Sequence, residues 1–432
     1  MRLRLAASSL RVAMLALLSI IGTSTGSWAA AAEKVLYSFG SFPGYDGQNP
    51  EGGLVSDKAG NLYGTTFEGG DEGSFGTVYE LSPSDGGWTE TVLYSFCTGC
   101  ANGSSPIGSL VIDAEGNLYG TTYAGGSGCG GGGGCGTVFE LSPGTGTWTE
   151  AVLYTFSGSD GAYPIAGLVF DTAGNLYGTT PYGGTSKNCT FGATTGCGVV
   201  FELSKNPNGS WTETVLHNFQ GHRTDGDSPF ARLTLDDDGN VYGTTAGNSP
   251  NDRGTVFELA RAEDGGWNET VLHHFAGATD GNSPESDVVL DSDGSIYGTT
   301  RYGGAGECSA YGYSGCGTVF KLQLSGTTWT ESALYSFPGG TDGEDPAGGL
   351  VFGPGGSLYG TTAEGGNGCG TVFQLTPRGR HFIENLLHPF ECSLLDGGYP
   401  LGDLLLDGAG NIYSTTQEGG AYTYGTVFEV TP

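Results

Sequence analysis

Apolar and polar positions fall in short runs that never lengthen into a helical period beyond the first thirty or so residues. Gly167-Leu168-Val169-Phe170 is a continuous apolar run of the kind a strand buried on both faces requires. Asp171-Thr172-Ala173-Gly174 then reads as a hairpin turn, in which Asp bonds its own turn backbone and Gly supplies a positive φ. Leu176-Tyr177-Gly178-Thr179-Thr180 predicts a second strand, residues 199–203 a third, and residues 214–219 a fourth, behind Trp211. On the fourth strand of the preceding unit, simple alternation puts Val152, Tyr154 and Phe156 on one face and Leu153 on the other.

This unit recurs. Its central tyrosine falls at Tyr63, Tyr119, Tyr177, Tyr242, Tyr297, Tyr359 and Tyr413, at spacings of 54 to 65 residues. A period of that size marks a repeat architecture. Four short antiparallel strands repeated seven times predict an all-β fold, a seven-bladed β-propeller of four-stranded antiparallel blades. Residues 35–39 read as a fourth strand with no preceding three, and residues 425–430 as a third strand with no fourth. The ring is therefore expected to close by the N-terminal strand pairing with the C-terminal three strands, which removes exposed edges. A linear β-solenoid would leave both halves unpaired. Trp88, Trp148, Trp211, Trp267 and Trp329 share one repeat position, with Phe382 there in unit six, and predict packing between blades.

The consensus Gly-Leu-Val-Phe-Asp-x-x-Gly-Asn-Leu-Tyr-Gly-Thr-Thr, followed by Gly-Gly, Gly-Thr-Val-Phe-Glu-Leu and Trp-Thr-Glu-Thr-Val-Leu-Tyr-Ser-Phe, resembles the bacterial GloVer (Gloeo-Verruco) extracellular tandem repeat. The resemblance covers essentially all of the chain beyond its first segment. It implies a secreted bacterial repeat protein, in some members with a C-terminal anchor or sorting segment. This sequence stops at Pro432, so no such tail is expected. The resemblance carries no catalytic residue.

Residues 1–32 read as a signal peptide: Arg2, Arg4 and Arg11, an apolar stretch over 12–21, then small residues to Ala32. The apolar run is too short to span a bilayer comfortably. The expected mature chain is one propeller domain, 33–432, secreted or periplasmic, monomeric and without a membrane span. Glycine contributes 83 of 432 residues while apolar types still make up 37%, a turn-rich β composition rather than a disordered one. The formal net charge is −31, and removing the three signal arginines takes it to −34. Such a surface repels nucleic acid and anionic lipid, and leaves neutral or cationic ligands.

The ten cysteines suit an oxidising compartment. Local spacing pairs Cys97 with Cys100, Cys129 with Cys135, Cys189 with Cys197 and Cys308 with Cys316, leaving Cys369 and Cys392 for each other. Zinc is the rival reading, but the spacings vary and no paired histidines accompany them. The chain-entropy estimate is roughly 3.4 kcal/mol for the Cys369–Cys392 loop and about 2.4 kcal/mol for the Cys129–Cys135 loop.

Catalytic chemistry finds little support. The one Gly-x-Ser-x-Gly lies at residues 22–26, inside the signal segment, and no His-Glu-x-x-His occurs. Asp236-Asp237-Asp238-Gly239 and Asp291-Ser292-Asp293-Gly294 fail the EF-hand pattern and predict hairpin turns. An Asp-Gly-x-x-Pro phrase begins at Asp46, Asp160, Asp225, Asp280, Asp342 and Asp396, with Asn102 in the remaining unit, and predicts a repeated Asx turn rather than a cation-binding ring. His217, His273, His274 and His388 stand on fourth strands as packing residues. No catalytic residue, metal or cofactor is expected. A site in a repeat protein must break the repeat, and the departures cluster in units four and five: His222, Arg223, Asp252, Arg253, Arg301 and Tyr302. These are the candidate ligand-binding residues. The leading expectation is a non-enzymatic binding or interaction scaffold for a protein or carbohydrate. The alternative is an extracellular enzyme acting on polysaccharide through the loop-rich face.

Overall fold

Each repeat folds as one four-stranded antiparallel sheet, and seven such sheets close a ring. The computed structural model describes residues 31–41, 46–71, 75–97, 101–126, 128–129, 133–221, 224–247, 252–310, 312–379 and 381–432. Most of the expected signal segment lies outside the described residues. Residues 31–432 form one compact unit. Among the described residues no helix is long and apolar enough to cross a membrane.

Blade three shows the common plan. Its strands are Val169–Phe170, Leu176–Thr180, Val199–Lys205 and Trp211–Asn218, hydrogen-bonded in that order. Only two residues of the apolar run 167–170 enter the sheet. The carbonyl just before them is taken by the neighbouring blade instead: Thr121 Oγ1 donates to Ala166 O at 3.0 Å. The last blade is the composite expected from the chain ends. Ala32–Ser38 pairs with Thr426–Thr431, which pairs with Ile412–Thr416 and then Leu405–Leu406.

The repeated phrases each have a mechanical reason. In the Asp-x-x-Gly-Asn-x-Tyr turn, Asp171 accepts from the Ala173 and Asn175 amides, from Asn175 Nδ2 and from the Tyr177 hydroxyl. The aspartates at 236 and 291 accept from their own turn amides in the same way. In Tyr-Gly-Thr-Thr, the glycine makes room for the cross-strand aromatic: a Cβ on Gly178 would lie 2.6 Å from Phe201 Cζ. The first threonine latches onto the next blade, as in Thr179 Oγ1 to Ala231 O at 2.9 Å and, across the closure, Thr415 Oγ1 to Gly52 O at 2.9 Å. The second threonine bonds the third strand, as in Thr245 to Thr255 at 2.9 Å.

The core lies between blades. At every seam a buried phenylalanine at the end of one outer strand meets an aromatic on the next blade's third strand, edge to face. Phe156–Phe201 at 5.1 Å is one example and Phe390–Phe428 at 5.1 Å another. Phe39–Tyr79 at 4.9 Å makes the same contact across the chain closure, so that seam is built like the rest. Such pairs add a geometric preference to the burial of apolar area. The repeated tryptophan packs on the preceding blade's tyrosine, as in Trp211 on Tyr119 at 6.3 Å.

The outer strand departs from simple alternation. A β-bulge falls at the same place in every blade. In blade two, Val138 pairs with Tyr154 and Phe139 with Val152, so Leu153 is the extra residue. Leu153 and Tyr154 therefore both pack into the inter-blade core, while Val152 is 38% exposed. The bulge adds one residue to one strand and so resets which face each side chain takes.

Candidate functional site

The strand directions separate two faces. The Asp-x-x-Gly turns lie on one. The loops between second and third strands lie on the other, together with the connections between blades. Among the described residues four disulfides fasten that loop face: Cys129–Cys135, Cys189–Cys197, Cys308–Cys316 and Cys369–Cys392. Cys97 is disulfide-bonded, and Cys100 lies outside the described residues.

The Asp-Gly-x-x-Pro aspartates do not converge on the axis. Each works in its own seam. Tyr154 donates to Asp160 at 2.6 Å, His217 pairs with Asp225 at 2.9 Å, and His388 with Asp396 at 3.2 Å. Asp46, Asp160, Asp225, Asp280 and Asp396 also accept a backbone amide, as in Gln220 N to Asp225 at 2.8 Å. The Trp-Thr-Glu glutamate of the following blade completes the trio. Its Oε1 is buried without a hydrogen-bond partner at Glu33, Glu90, Glu150, Glu213, Glu269, Glu331 and Glu384, one per blade. Burial, with a facing aspartate, pushes Glu90 up to about 8 and Glu213 to about 7. Glu33, His388 and Asp396 bring ligand atoms within 4.8 Å of one another. That set is one of seven equivalent seams, and its polar atoms serve the packing.

The axis is different. Where each first strand begins, seven chain segments surround a cavity of about 320 Å³. One repeat position supplies Gly53, Ser109, Gly167, Arg232, Asp287 and Asp403 to the cavity wall, and Gly349, the seventh residue of that position, donates its amide to Asp403 at 3.3 Å. Glycine is the common residue there, and three blades replace it with a charge. Arg232 Nη2 bonds Asp287 Oδ2 at 2.7 Å and lies 3.9 Å from Asp403 Oδ2. Ser109 Oγ donates to Asp403 Oδ2 at 3.2 Å and accepts the Gly53 amide at 2.9 Å. The Asp287 side chain is 4% exposed, and its Oδ1 has no hydrogen-bond partner. Burial and the neighbouring Asp403 charge hold the Asp287 carboxyl above its ordinary range, against the pull of Arg232. Burial opposes the charge on Arg232, but Asp287 and Asp403 outweigh it and keep the guanidinium protonated.

Two residues earlier in each blade a second ring lines the mouth. It is apolar at Ile107, Ile165, Phe230, Ala347 and Leu401, and acidic at Glu51 and Glu285. Arg301 closes one side, bonding Glu285 at 2.8 Å and gripping Asp345 through two nitrogens. The cavity thus carries a polar wall of paired donors and acceptors and an apolar wall. That combination can hold a small polar molecule that also presents a hydrophobic face.

Of the residues singled out from sequence, the structure joins three in a ladder. Arg253 lies over the Tyr313 ring at 5.1 Å, Tyr313 stacks on Tyr302 at 5.2 Å, and Arg301 lies over Tyr302 at 5.7 Å. Arg301 alone of them lines the axial cavity. Asp252 is buried and accepts the Gly254 amide at 3.1 Å. His222 and Arg223 lie outside the described residues.

The profile described as the Gloeobacter/Verrucomicrobia repeat matches residues 27–194, 130–312 and 306–432, which together span the whole fold. The chain belongs to that repeat family. No curated protein matches it. Solved structures similar to this repeat protein include a putative gluconolactonase at 13% identity, covering 93% of this chain and 92% of that one with a TM-score of 0.43. A polysaccharide lyase, an ulvan lyase, matches at 12% identity over 89% and 94% with a TM-score of 0.48. A putative glucose dehydrogenase from Thermus thermophilus matches at 14% over 93% and 100% with a TM-score of 0.43. None of the activities in those names transfers to this family member at such likeness.

Sequence reading missed Arg232, Asp287 and Asp403. Each opens an apolar run and so looks like the frayed start of a strand. The signal that finds them is vertical: setting the seven repeats under one another leaves one glycine column broken by an arginine and two aspartates.

Proposed function

We propose that this repeat protein is a secreted, non-enzymatic binding propeller whose recognition site is the axial cavity. The observation that carries the reading is the broken glycine ring. Elsewhere the seven blades solve each packing problem in nearly the same way. At the axis that one column places a guanidinium, two carboxyls and a hydroxyl on the wall of a 320 Å³ space. Burying such groups is unfavourable for folding, and binding is what they offer in return. Of the candidate loop residues, Arg301 lines this cavity and continues through Tyr302 and Tyr313 to Arg253 in the aromatic ladder beside it. The test is a thermal-shift and calorimetric screen of the mature, oxidised protein against neutral sugars, polyols, amines and divalent cations. A ligand that stabilises the wild type and not Asp287→Asn or Arg232→Gln supports the reading. A ligand indifferent to both substitutions places recognition elsewhere.

The enzymatic alternative, action on polysaccharide, has one observation in its favour. Burial and the neighbouring Asp403 charge raise the Asp287 carboxyl, and these two carboxyl groups share one cavity, as a pair doing acid–base work would. Release of reducing ends or unsaturated products from a bound polysaccharide, lost in Asp287→Asn, would favour this alternative over pure binding.

A further inference from the structure

The loops on the axial face are unequal. Between second and third strands, blade four spends residues 246–254, whereas blade three spends 181–198. The longer loop folds into a hairpin, Thr190–Phe191 against Thr194–Thr195, closed at its base by Cys189–Cys197. This hairpin lays Phe191 flat on Tyr182, with ring centroids 4.0 Å apart and planes 7° from parallel. Tyr163 meets both rings edge-on at 6.3 and 6.2 Å and stacks on Tyr123 of blade two at 5.1 Å. Tyr182 also touches Phe230 at 6.1 Å, and Phe230 lines the axial cavity. Five rings from three blades therefore make one continuous shelf leading to the cavity mouth. None of the five is fully buried, and Phe191 is 43% exposed.

Tyr163 and Tyr182 rest one side on the blade core and keep the other partly open, and Phe191 extends them on a disulfide-closed hairpin, so the group offers an outward aromatic surface for recognition. Its shape restricts the occupant. The tightest pair is stacked face to face, so it offers one flat outer face instead of a cage of open rings, which a quaternary ammonium would need. A flat aromatic face matches the C–H face of a pyranose, and the tyrosine hydroxyls at its rim suit the sugar's equatorial hydroxyls. The cavity beyond supplies paired donors and acceptors for a sugar end: Arg232, Asp287, Asp403 and Ser109. A formal net charge of −31 disfavours sulfated and uronate-rich chains.

We propose that Tyr123, Tyr163, Tyr182, Phe191 and Phe230 form a subsite for a neutral glycan chain, one end of which enters the axial cavity. The proposal rests on the cavity being the recognition site, and the test separates the two. Mature oxidised protein is titrated calorimetrically with neutral mono-, tri- and hexasaccharides of glucose, mannose, galactose and xylose, and with choline as the cationic probe. Affinity for one sugar series rises with chain length. Phe191→Ala and Tyr163→Ala each lower the hexasaccharide affinity by about tenfold or more while leaving the monosaccharide affinity in place. Asp287→Asn removes both. Phe191 is exposed on its hairpin, so Phe191→Ala folds with a near-native Tm. Hexasaccharide binding that survives both shelf variants but fails in Asp287→Asn overturns the shelf and keeps the cavity. Choline binding without sugar binding does the same. Silence from every sugar and from choline overturns both.

Discussion

The seams and the axis of this propeller are built from the same repeats and behave in opposite ways. At the seams the repeat hardly varies: a phenylalanine pair, a threonine latch, a tyrosine or histidine on an aspartate, and a buried glutamate recur around the ring. At the axis one column carries glycine in three blades, and arginine, aspartate or serine in the other four. The seams can be identical because every blade faces the same mechanical problem. A ligand has no seven-fold symmetry, so the place that meets it must give the symmetry up. Departure from the repeat is thus informative in proportion to how strictly the rest of the repeat is kept.

The contrast is broken most severely by removing a seam aromatic. Phe201 is fully buried, meets Phe156 edge to face and covers Gly178. Phe201→Ala is expected to cost about 3–5 kcal/mol in a denaturant titration, with ligand affinity at the axis unchanged in whatever fraction stays folded.

A second, smaller effect is written into the seam glutamates. Folding raises Glu90 to about 8 and Glu33, Glu213, Glu331 and Glu384 to about 7. The folded state therefore binds protons more tightly than the unfolded chain. The resulting stability is complete below the ordinary glutamate range and is lost as pH rises through 7 to 8. On the acid side the turn aspartates Asp57, Asp291 and Asp407 oppose this. Burial disfavours their charge, but turn hydrogen bonds outweigh it and lower them, so their contribution fades as pH falls below the ordinary aspartate range. Tm is expected to peak at mildly acid pH and to fall toward pH 9. Glu90→Gln should flatten that fall, and an unchanged profile would remove the seam glutamates as its cause.

The mildest perturbation is to one latch. Thr179→Val leaves the Ala231 carbonyl without its 2.9 Å donor and should cost roughly 1 kcal/mol. The structure supplies its own comparison, because Thr361 Oγ1 has no hydrogen-bond partner in blade six. Thr361→Val should therefore be nearly neutral.

What the sequence made legible follows the same division. The blade count, the composite last blade and the tryptophan packing were readable because each feature was stated several times over. Four of the cysteine pairings were readable because their partners sit close along the chain or, for Cys369 and Cys392, at adjacent strand ends. The bulge at Leu153 was not readable, since an extra residue in one strand shows only in the pairing register. Arg301 and Arg253 stood out because arginine is scarce, and the structure places both against tyrosines. Arg232, Asp287 and Asp403 were hidden because a polar residue at the start of an apolar run has an ordinary explanation. Only their convergence at the axis, a long-range fact, gives them another.

The most direct test is to restore the symmetry. A triple variant carrying Arg232→Gly, Asp287→Gly and Asp403→Gly gives the axial ring the residue that three blades already use there. Removing all three charged groups together leaves none of them buried without its partner, which is the costly case. The account predicts a Tm within a few degrees of wild type, together with complete loss of any stabilisation that a sugar ligand gives the wild type. A Tm that collapses while ligand stabilisation persists in the folded fraction would show that the charged ring serves the fold, and would contradict the assignment of recognition to the axis.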